Sequence, residues 1–439
     1  MTLRRDTICA LASGPPPAAI ATLRLSGPDV RSIITKRLSK SALEPRRATL
    51  VELRSETGST VDEGLAVFMP GPASYTGEDT LEITLHGGRM IIELALKSLM
   101  SAGARLAEPG EYTRRAFEAG KLDLTRAEAV ADLIDAESEA QLDQALRQMD
   151  GALESLYSDW RVQMTECLAL LEASIDFPDE EDAPDRVDGP VSERINGLIT
   201  NLDQALDEGN ITERIRDGFR VAILGKPNAG KSTLLNQLAK RDAAIVTDIP
   251  GTTRDVVEVR LTLGGYLVWV SDTAGLRETD DIVEAEGVRR AKQAGAEADV
   301  RIWLFDARDD VEEDLVQPGD IVVVNKSDLV APDVSRETLL ISAKEGDGID
   351  RVEAAIVERL SGLTKNLSAP MITRARHRQG IERAKVHLNI ALEHLSSGRG
   401  SEFTAEEVRL ASRELGSLTG HVETEMVLGA VFSSFCIGK

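Results

Sequence analysis

The alternation of hydrophobic and polar positions changes twice along the chain. Residues 1–118 contain short alternating runs such as ATLRLSG and LEITLHGG, separated by glycine and proline. Such runs predict the strands of a small α/β domain, the first of them over residues 6–12. From Leu124 onward the pattern becomes helical, and apolar residues recur at steps of three and four between Leu142 and Ile175. This spacing predicts long, packed amphipathic helices.

A third pattern begins at the apolar run FRVAILG, after a further helical stretch over residues 191–217. Strand-like and helical segments then alternate as far as TLLISA, and helical periodicity resumes near Met371. This order predicts a doubly wound, mainly parallel sheet inserted into a helical domain, in a multidomain α/β plus all-α protein. The predicted parts are an N-terminal α/β domain, a first helical part, the inserted domain and a second helical part, at residues 1–118, 119–217, 218–362 and 363–439.

Composition narrows the class of protein. Of 439 residues, 51 are Lys or Arg and 74 are Asp or Glu, so the net charge is −23. A protein that grips nucleic acid over a wide face needs clustered basic residues, so any RNA contact is expected to be local or delegated. The three cysteines are odd in number and far apart, which excludes a disulfide framework and a CxxC zinc site. No apolar run approaches the roughly 18 residues of a membrane span, and we expect a reducing, cytoplasmic location.

A phosphate-binding loop is the strongest motif. Residues 225–232 read GKPNAGKS and match the pattern G-x-x-x-x-G-K-[ST], between a predicted strand and a predicted helix. The glycines let backbone N–H groups close around phosphates, and the helix N-terminus adds its dipole. Lys231 is expected to reach the β and γ phosphates, and Ser232 is expected to coordinate Mg²⁺.

Two further segments suit the surroundings of a γ-phosphate. Residues 272–275 read DTAG after a buried strand, which places Asp272 to hold Mg²⁺ through water and Gly275 to turn its backbone toward the phosphate. Between this motif and the phosphate-binding loop lies TDIPGTTRD, over residues 247–255. It is the predicted first switch, in which Thr253 is the natural second Mg²⁺ ligand.

The base specificity is predicted by NKSD at residues 325–328, which ends a strand-like run. The Asp328 carboxylate can accept two hydrogen bonds from the N1–H and 2-amino groups of guanine, and adenine offers no such pair. Ser342, Ala343 and Lys344 complete the base pocket, so the nucleotide is predicted to be GTP. The residues predicted to bind it are Asn228, Ala229, Gly230, Lys231, Ser232, Thr233, Thr247, Asp248, Ile249, Pro250, Gly251, Thr252, Thr253, Asp272, Thr273, Ala274, Gly275, Asn325, Lys326, Asp328, Ser342, Ala343 and Lys344.

Hydrolysis needs a group that orients water, and many GTPases use a glutamine directly after the DxxG glycine. Here that position is Leu276, which cannot hydrogen-bond to water. Arg254 and Arg277 are alternatives that would supply positive charge in the manner of an arginine finger. The residues alone leave these open, together with the acids of the second switch, which are Glu278, Asp280, Asp281, Glu284 and Glu286.

Taken together, the motifs resemble one family. PNAGKS, TDIPGTTRD, DTAGLRETDDIVE and NKSD occur in that order, with DTLEITLHGG and GKLDL before them and a terminal CIGK over residues 436–439. The combination is similar to the bacterial and mitochondrial tRNA-modification GTPases of the MnmE, or TrmE, family over nearly the whole chain. The CIGK tail is the most specific match, because generic G domains have no such tail.

The resemblance implies an N-terminal folate-binding domain that forms a homodimer, a helical domain and an inserted Ras-like P-loop GTPase domain. It implies an FAD-dependent partner protein of the MnmG (GidA) type. Together they would attach an aminomethyl or carboxymethylaminomethyl group to carbon 5 of the wobble uridine, position 34, of certain tRNAs. The one-carbon unit would come from 5-formyl- or methylene-tetrahydrofolate, and the family's folate contacts match Arg24, Glu82, Lys121 and Lys439.

The resemblance also implies a K⁺ ion beside the phosphates. A fixed cation there can stabilise charge that develops in the transition state. The resemblance assigns the orientation of the attacking water to Glu284. The K⁺ ligands that it implies are Asn228, Thr247, Ile249 and Thr252.

The terminal Cys436 has two interpretations. It is a candidate catalytic thiol, and the alternative is a small buried residue between Phe435 and Ile437, as free cysteine often is. The acidic net charge adds the expectation that tRNA is held mainly by the partner protein.

Two other functions compete with this one. A ribosome-assembly or RNA-binding regulatory GTPase would carry a basic RNA-binding domain, but the helical segment from Thr404 is not strongly basic. A helical scaffold with an inert G domain would lack phosphate or guanine ligands, and none is lacking. Folate binding that weakens in Arg24→Ala would distinguish the tRNA-modifying enzyme from the RNA-binding GTPase.

Overall fold

A six-stranded sheet with helices beside it begins the chain. In the computed structural model the described residues are 6–176, 188–241, 257–272, 295–309, 311–330, 338–365, 372–420, 425–433 and 435–438. The strands lie in the order β3-β4-β5-β2-β1-β6, and all neighbours are antiparallel except β1 and β6. The elements are β1 (Thr7–Leu11), β2 (Ile20–Ser26), α1 (Val30–Arg37), β3 (Thr49–Arg54), β4 (Thr60–Met69), β5 (Thr80–His86), α2 (Arg89–Ser101), β6 (Ala104–Leu106) and α3 (Glu111–Glu118). The strand predicted over residues 6–12 is therefore confirmed.

The two faces of this sheet differ in what covers them. On one face, alternate residues of β2 and β5, such as Leu23, Leu25 and Ile83, are buried in a core with α1 and α2. On the other face, Ile8 and Ala10 of β1 are buried in a smaller cluster with Tyr112 of α3. Because side chains alternate along a strand, the residues between the core positions of β2 and β5 lie on the face that α1 and α2 do not cover.

Helices dominate the rest of the chain outside a second sheet. Their bounds are α4 (Leu124–Asp135), α5 (Glu139–Met149), α6 (Ala152–Asp176), α7 (Asp188–Asp217), α10 (Ala375–Ser397), α11 (Ser401–Thr419) and α12 (Glu425–Ser433). Helices α6 and α10 both pack against α7. Leu153, Trp160, Met164 and Leu171 of the predicted apolar stripe are buried in α6, so that part of the prediction is confirmed.

The predicted apolar stripe is wrong in α5. Gly151, with φ +90°, separates α5 from α6, and Leu142 and Leu146 are 43% and 46% exposed. Helix α5 instead buries Gln141 and Gln144, whose side-chain amides donate to carbonyl oxygens in the last turns of α7 at 2.7 and 2.9 Å. The Arg216 carbonyl lies in the last turn of α7, where the helix offers no further N–H partner, and Gln141 supplies a donor.

The second sheet is the predicted doubly wound one. Its strands lie in the order β12-β11-β10-β7-β9-β8, and all neighbours are parallel except β8 and β9. The helices α8 and α9 pack against it around a core of aliphatic residues. Its elements are β7 (Phe219–Leu224), α8 (Lys231–Arg241), β8 (Val257–Leu263), β9 (Tyr266–Asp272), β10 (Val300–Asp306), β11 (Ile321–Asn325), β12 (Leu339–Leu340) and α9 (Ile349–Thr364).

The chain divides into two compact units. One consists of the residues up to 131 together with those from 415 onward, and the other consists of residues 132–414. In the first unit, Leu428 and Phe432 of α12 are buried with Leu124 and Ala127 of α4. In the second unit, the sheet order places the carboxyl ends of β7, β10 and β11 side by side. Among the helices that the structure describes, none has an apolar stretch of the length needed to cross a bilayer.

Candidate guanine-nucleotide site

The phosphate-binding loop joins β7 to α8 at the carboxyl edge of the second sheet. Gly225 and Gly230 have φ values of +145° and +101°, which L residues rarely adopt. Lys231 is the first residue of α8 and is buried, and its Nζ donates to the carbonyl oxygens of Gly225 at 2.8 Å and Lys226 at 2.9 Å. The loop therefore presents backbone N–H groups and the positive end of a helix at one place, which suits a phosphate.

Asn325 connects three loops around this edge. It is 3% exposed, and its Nδ2 donates to the Ala229 carbonyl at 2.7 Å while its Oδ1 accepts from the Ala343 N–H at 2.9 Å. The loops approach so closely that a Cβ on Gly230 would lie 2.2 Å from Asn325 Nδ2. Gln237 of α8 adds a further hydrogen bond, from its Nε2 to the Ala343 carbonyl at 2.9 Å.

The base-binding residues that follow Asn325 are arranged around the phosphate-binding loop. Lys326 Nζ donates to the Asn228 carbonyl at 2.8 Å, and Ser342 is buried. Asp328 and Lys344 are exposed, so the Asp328 carboxylate is accessible to a ligand. A carboxylate at this position can pair with the donor edge of guanine.

Two contacts at this site were not predicted from the sequence. The Asp306 carboxylate lies 2.6 Å from Lys326 Nζ, and Gln237 reaches Ala343 from α8. Asp306 ends the apolar run of β10, next to Asn325 in the sheet register. A charged residue at the carboxyl end of a parallel strand, beside a phosphate-binding loop, was the signal that could have found it.

Part of the predicted site lies outside the described residues. Asp272 is the last residue of β9, and nothing is described of its side chain. The other predicted site residues outside the described residues are Thr247, Asp248, Ile249, Pro250, Gly251, Thr252, Thr253, Thr273, Ala274, Gly275, Glu284 and Lys439.

The described donors suit the two predicted cations. Ser232, Thr233 and Asn228 are exposed around the start of α8, and they offer oxygen atoms, which Mg²⁺ and K⁺ prefer. Among the described residues, no group of three or more His, Cys, Asp or Glu side chains could hold a metal ion.

Two of the residues predicted to bind folate lie on the first sheet. Arg24 of β2 and Glu82 of β5 are direct partners in the register, and Arg24 Nη2 lies 2.8 Å from Glu82 Oε1. The guanidinium is 5.7 Å from the ring centroid of Tyr112, whose hydroxyl donates to the Arg24 carbonyl at 2.7 Å. We call Arg24, Glu82 and Tyr112 the Arg24 patch.

Lys121 lies near the loop between β4 and β5. A Cβ on Gly77 of that loop would be 3.3 Å from Lys121 Cε. Tyr75, in the same loop, has its hydroxyl 3.0 Å from Thr113 Oγ1 of α3, and burial raises the pKa of this tyrosine.

The three cysteines differ in exposure. Cys436 is exposed, so the interpretation of a small buried residue is wrong for this position. Cys9 and Cys167 are buried, and burial raises the pKa of each thiol to about 11. A reactive role for Cys436 stays a prediction.

The fold and the site define a class of protein. A mainly parallel sheet with a P-loop, an NKSD loop and an SAK loop at its carboxyl edge is a guanine-nucleotide-binding domain of the Ras-like type. It is present together with an N-terminal α/β sheet and a set of long helices. The predicted fold class is therefore confirmed.

Comparisons with known proteins agree with this class. The family model described as "MnmE helical domain" matches residues 124–436, and the one described as "GTP-binding protein TrmE N-terminus" matches residues 7–121. Proteins named "tRNA modification GTPase MnmE" are similar over almost their whole length. The one from Hyphomonas neptunium is 54% identical, with 99% of each chain covered. That from Maricaulis maris is 48% identical with 99% of each covered, and that from Parvibaculum lavamentivorans is 49% identical with 99% of this chain and 100% of the relative covered.

The chain belongs to the MnmE family of tRNA modification GTPases. The family predicted from the motifs is confirmed, and so is the prediction of a GTP-hydrolysing enzyme of tRNA modification.

Proposed function

We propose that this chain is a K⁺-dependent GTPase that works as a homodimer with an FAD-dependent partner of the MnmG (GidA) type. In this proposal the two proteins add an aminomethyl or carboxymethylaminomethyl group to carbon 5 of the wobble uridine, position 34, of certain tRNAs. The one-carbon unit comes from a tetrahydrofolate derivative, 5-formyl- or methylene-tetrahydrofolate. The observation that supports the proposal most is the Arg24–Glu82 ion pair, because two residues to which the proposal assigns folate binding lie 2.8 Å apart on neighbouring strands.

In the proposed folate site, Glu82, Arg24 and two lysines have separate tasks. The Glu82 carboxylate accepts hydrogen bonds from the amino and N–H edge of a pterin ring, in the way that a carboxylate recognises guanine. Arg24 orients this carboxylate, because its guanidinium donates to Glu82 Oε1 from Nε at 2.9 Å. Lys121, and Lys439 outside the described residues, supply positive charge for the carboxylates of the folate glutamate. The folate itself supplies the one-carbon unit.

In the proposed nucleotide site, Lys231 and the start of α8 bind the phosphates, and Asp328 recognises guanine. Mg²⁺ is held by the Ser232 and Thr253 hydroxyl groups. The backbone carbonyl of Asn228 already accepts a hydrogen bond from Lys326 Nζ. We therefore assign the side-chain oxygen of Asn228 as the K⁺ ligand. K⁺ supplies positive charge beside the phosphates, and Thr247, Ile249 and Thr252 complete its ligands.

The remaining parts of the proposal concern organisation. The folate-binding and dimerising domain spans residues 1–118, the helical domain spans 119–217 and 363–439, and the G domain spans 218–362. The protein works in the cytoplasm. The net charge of −23 leaves tRNA to be held mainly by the partner protein.

The test is the rate of GTP hydrolysis by the purified chain in KCl and in NaCl at equal ionic strength. We expect hydrolysis to be at least about tenfold faster in KCl, because a bound cation replaces an external arginine in stabilising the transition state. Asn228→Ala should lose this acceleration. Equal, slow rates in both salts would contradict the K⁺ proposal and would favour Arg254, Arg277 or an RNA-bound activator.

The water-orienting role of Glu284 is tested with a matched pair of variants. Glu284→Gln should keep GTP affinity and lower turnover by roughly 100-fold or more, because it removes an interaction made in the transition state. Glu286→Gln is the control, since it changes an acid two residues away. Near-normal turnover in Glu284→Gln, or an equal loss in both variants, would contradict the assignment.

A further inference from the structure

A buried carboxylate stands beside the base-binding loop without being part of any known nucleotide motif of the chain. Asp306 is the last residue of β10 and is 8% exposed. Its Oδ2 accepts from Lys326 Nζ at 2.6 Å and from Arg308 Nη2 at 2.5 Å. Its Oδ1 accepts from Arg308 Nε at 2.9 Å and from the Arg308 N–H at 3.1 Å. Hydrogen bonds from Arg308 and Lys326 hold the pKa of the Asp306 carboxyl far below its usual range, so the group is ionised at neutral pH.

Lys326 connects this carboxylate to the phosphate-binding loop. Its Nζ donates both to Asp306 and to the Asn228 carbonyl, 2.8 Å away. Three residues other than glycine have positive φ among the described residues, and two of them are Asn228 at +63° and Lys326 at +67°. Asparagine adopts left-handed backbone readily, but for lysine it is unfavourable and persists only where surrounding contacts hold it.

The phosphate-binding loop and the NKSD loop are thus joined by two hydrogen bonds, one from a neutral side chain and one from a charged side chain. Asn325 joins them by a neutral hydrogen bond between buried groups, at 2.7 Å to the Ala229 carbonyl. Lys326 joins them through an ammonium on a flexible stem, which has many conformations in water. Without an anion beside it, this ammonium would exchange its contact with the Asn228 carbonyl for water.

We infer that Asp306 is a positioning residue for the nucleotide: it fixes the Lys326 ammonium against the Asn228 carbonyl and so sets the spacing of base loop and phosphate loop before GTP or GDP binds. The inference rests on the nucleotide site described above. Asp306 is not proposed to contact the nucleotide. It acts through Lys326, and it raises affinity because the ordering of a flexible side chain has already occurred in the free protein.

The first test compares Asp306→Asn with Asp320→Asn. Asp320 precedes β11 at the opposite end of the same two strands. Its side chain is 3% exposed and accepts from Arg301 Nε at 2.7 Å and Trp303 Nε1 at 3.0 Å. Both substitutions neutralise a buried carboxylate paired with arginine, and only one lies at the nucleotide edge. Binding of a fluorescent GDP analogue and the thermal midpoint are measured for both.

We expect Asp306→Asn to raise the Kd for GDP about tenfold, the size of one charge-assisted hydrogen bond, with kcat at saturating GTP changed less than about twofold. Asp320→Asn should lower the thermal midpoint and leave the Kd unchanged. An unchanged Kd in Asp306→Asn, or an equal rise in both variants, would overturn the inference. Failure of the unsubstituted chain to bind GDP would instead contradict the nucleotide site itself.

The second test is a double-mutant cycle with Lys326→Met. If Asp306 acts through Lys326, then adding Asp306→Asn to Lys326→Met causes no further rise in the Kd for GDP. Independent effects that multiply would overturn the inference. Should Asp306→Asn prove too unstable to assay, Asp306→Glu takes its place, because it keeps the charge and displaces it from Lys326. A raised Kd in that variant supports the inference, and an unchanged one contradicts it.

Discussion

The nucleotide edge of the second sheet and the Arg24 patch of the first sheet are built in opposite ways. At the nucleotide edge, consecutive residues of short loops supply backbone N–H and carbonyl groups, and Asn325 and Lys326 tie those loops together. In the Arg24 patch, two side chains that are 58 residues apart in sequence meet because β2 and β5 are neighbours. A site built from backbone groups of short loops can be recognised from a contiguous sequence motif. A site built from side chains on neighbouring strands depends on strand order and register.

This difference has a consequence for what each region tolerates. The nucleotide edge depends on close backbone approach, so it should be sensitive to a single added methyl group. The Arg24 patch depends on charge and hydrogen bonding between long side chains, so it should be sensitive to truncation and to neutralisation.

The largest effect is expected for Gly230→Ala. A Cβ at this position would lie 2.2 Å from Asn325 Nδ2, and the φ of +101° is itself unfavourable for alanine. The loops would have to move apart, so we expect the Kd for GDP to rise roughly 100-fold or more. Titration of the variant with a fluorescent GDP analogue measures this.

Gly319→Ala provides the matched control. Gly319 has nearly the same φ, +99°, but nothing lies within 4 Å of a Cβ placed there. This variant should lose about 1–2 kcal/mol of stability from backbone strain and bind GDP normally. If both variants lost GDP affinity equally, backbone strain would explain the loss. That result would contradict the idea that the nucleotide edge depends on the close approach of its loops.

A smaller effect is expected for Arg24→Ala on folate binding. The substitution leaves Glu82 without the guanidinium that orients it, and we expect the Kd for 5-formyl-tetrahydrofolate to rise about tenfold. Isothermal titration calorimetry measures it. Arg31→Ala is the control, because Arg31 also pairs with an acid, Asp79 at 2.6 Å, but lies on α1. Equal affinities for the unsubstituted chain and Arg24→Ala would remove the Arg24 patch from the proposed folate site.

The same distinction explains what the sequence could predict. The P-loop, NKSD and SAK segments were predictable because each is contiguous and because strand–loop–helix order decides where its backbone groups lie. The parallel order of the second sheet followed from the alternation of strand and helix patterns. Arg24 and Glu82 could be assigned to one site only through the family resemblance, because no local sequence pattern predicts that β2 pairs with β5.

Helix α5 shows where periodicity fails. Counting apolar residues at steps of three and four predicted a buried stripe through Leu142 and Leu146, and both are exposed. The Arg216 carbonyl in the last turn of α7 requires a donor from outside that helix, and Gln141 supplies it, while Gln144 donates to the Thr212 carbonyl one turn earlier. A pattern of hydrophobic residues does not include this requirement, just as it does not identify Asp306 as a partner of Lys326.

The smallest effect is expected for Glu111, another carboxylate that depends on charged side chains for its hydrogen bonds. Glu111 of α3 accepts from Arg105 at 2.6 and 2.8 Å and from Arg115 at 2.9 Å. Burial alone would raise the pKa of Glu111, but the hydrogen bonds from Arg105, from the Glu108 N–H and from Arg115 outweigh it and lower that pKa. A carboxyl whose pKa is lowered by folding adds stability above its unfolded pKa, about 4.3, and this stability is lost as the pH falls through the folded value.

Glu111→Gln should therefore lower the free energy of unfolding by about 1–2 kcal/mol at pH 7 and by progressively less below about pH 4.3. Thermal melts followed by circular dichroism from pH 3 to pH 7 measure this. Glu118→Gln on the same helix is the control, because Glu118 pairs with Arg114 at 2.9 Å on the surface and a surface pair contributes little at any pH. A Glu111→Gln deficit that stayed constant with pH would mean that Glu111 stabilises by packing. In that case the ion pairs of Glu111 with Arg105 and Arg115 would not be the source of its contribution to stability.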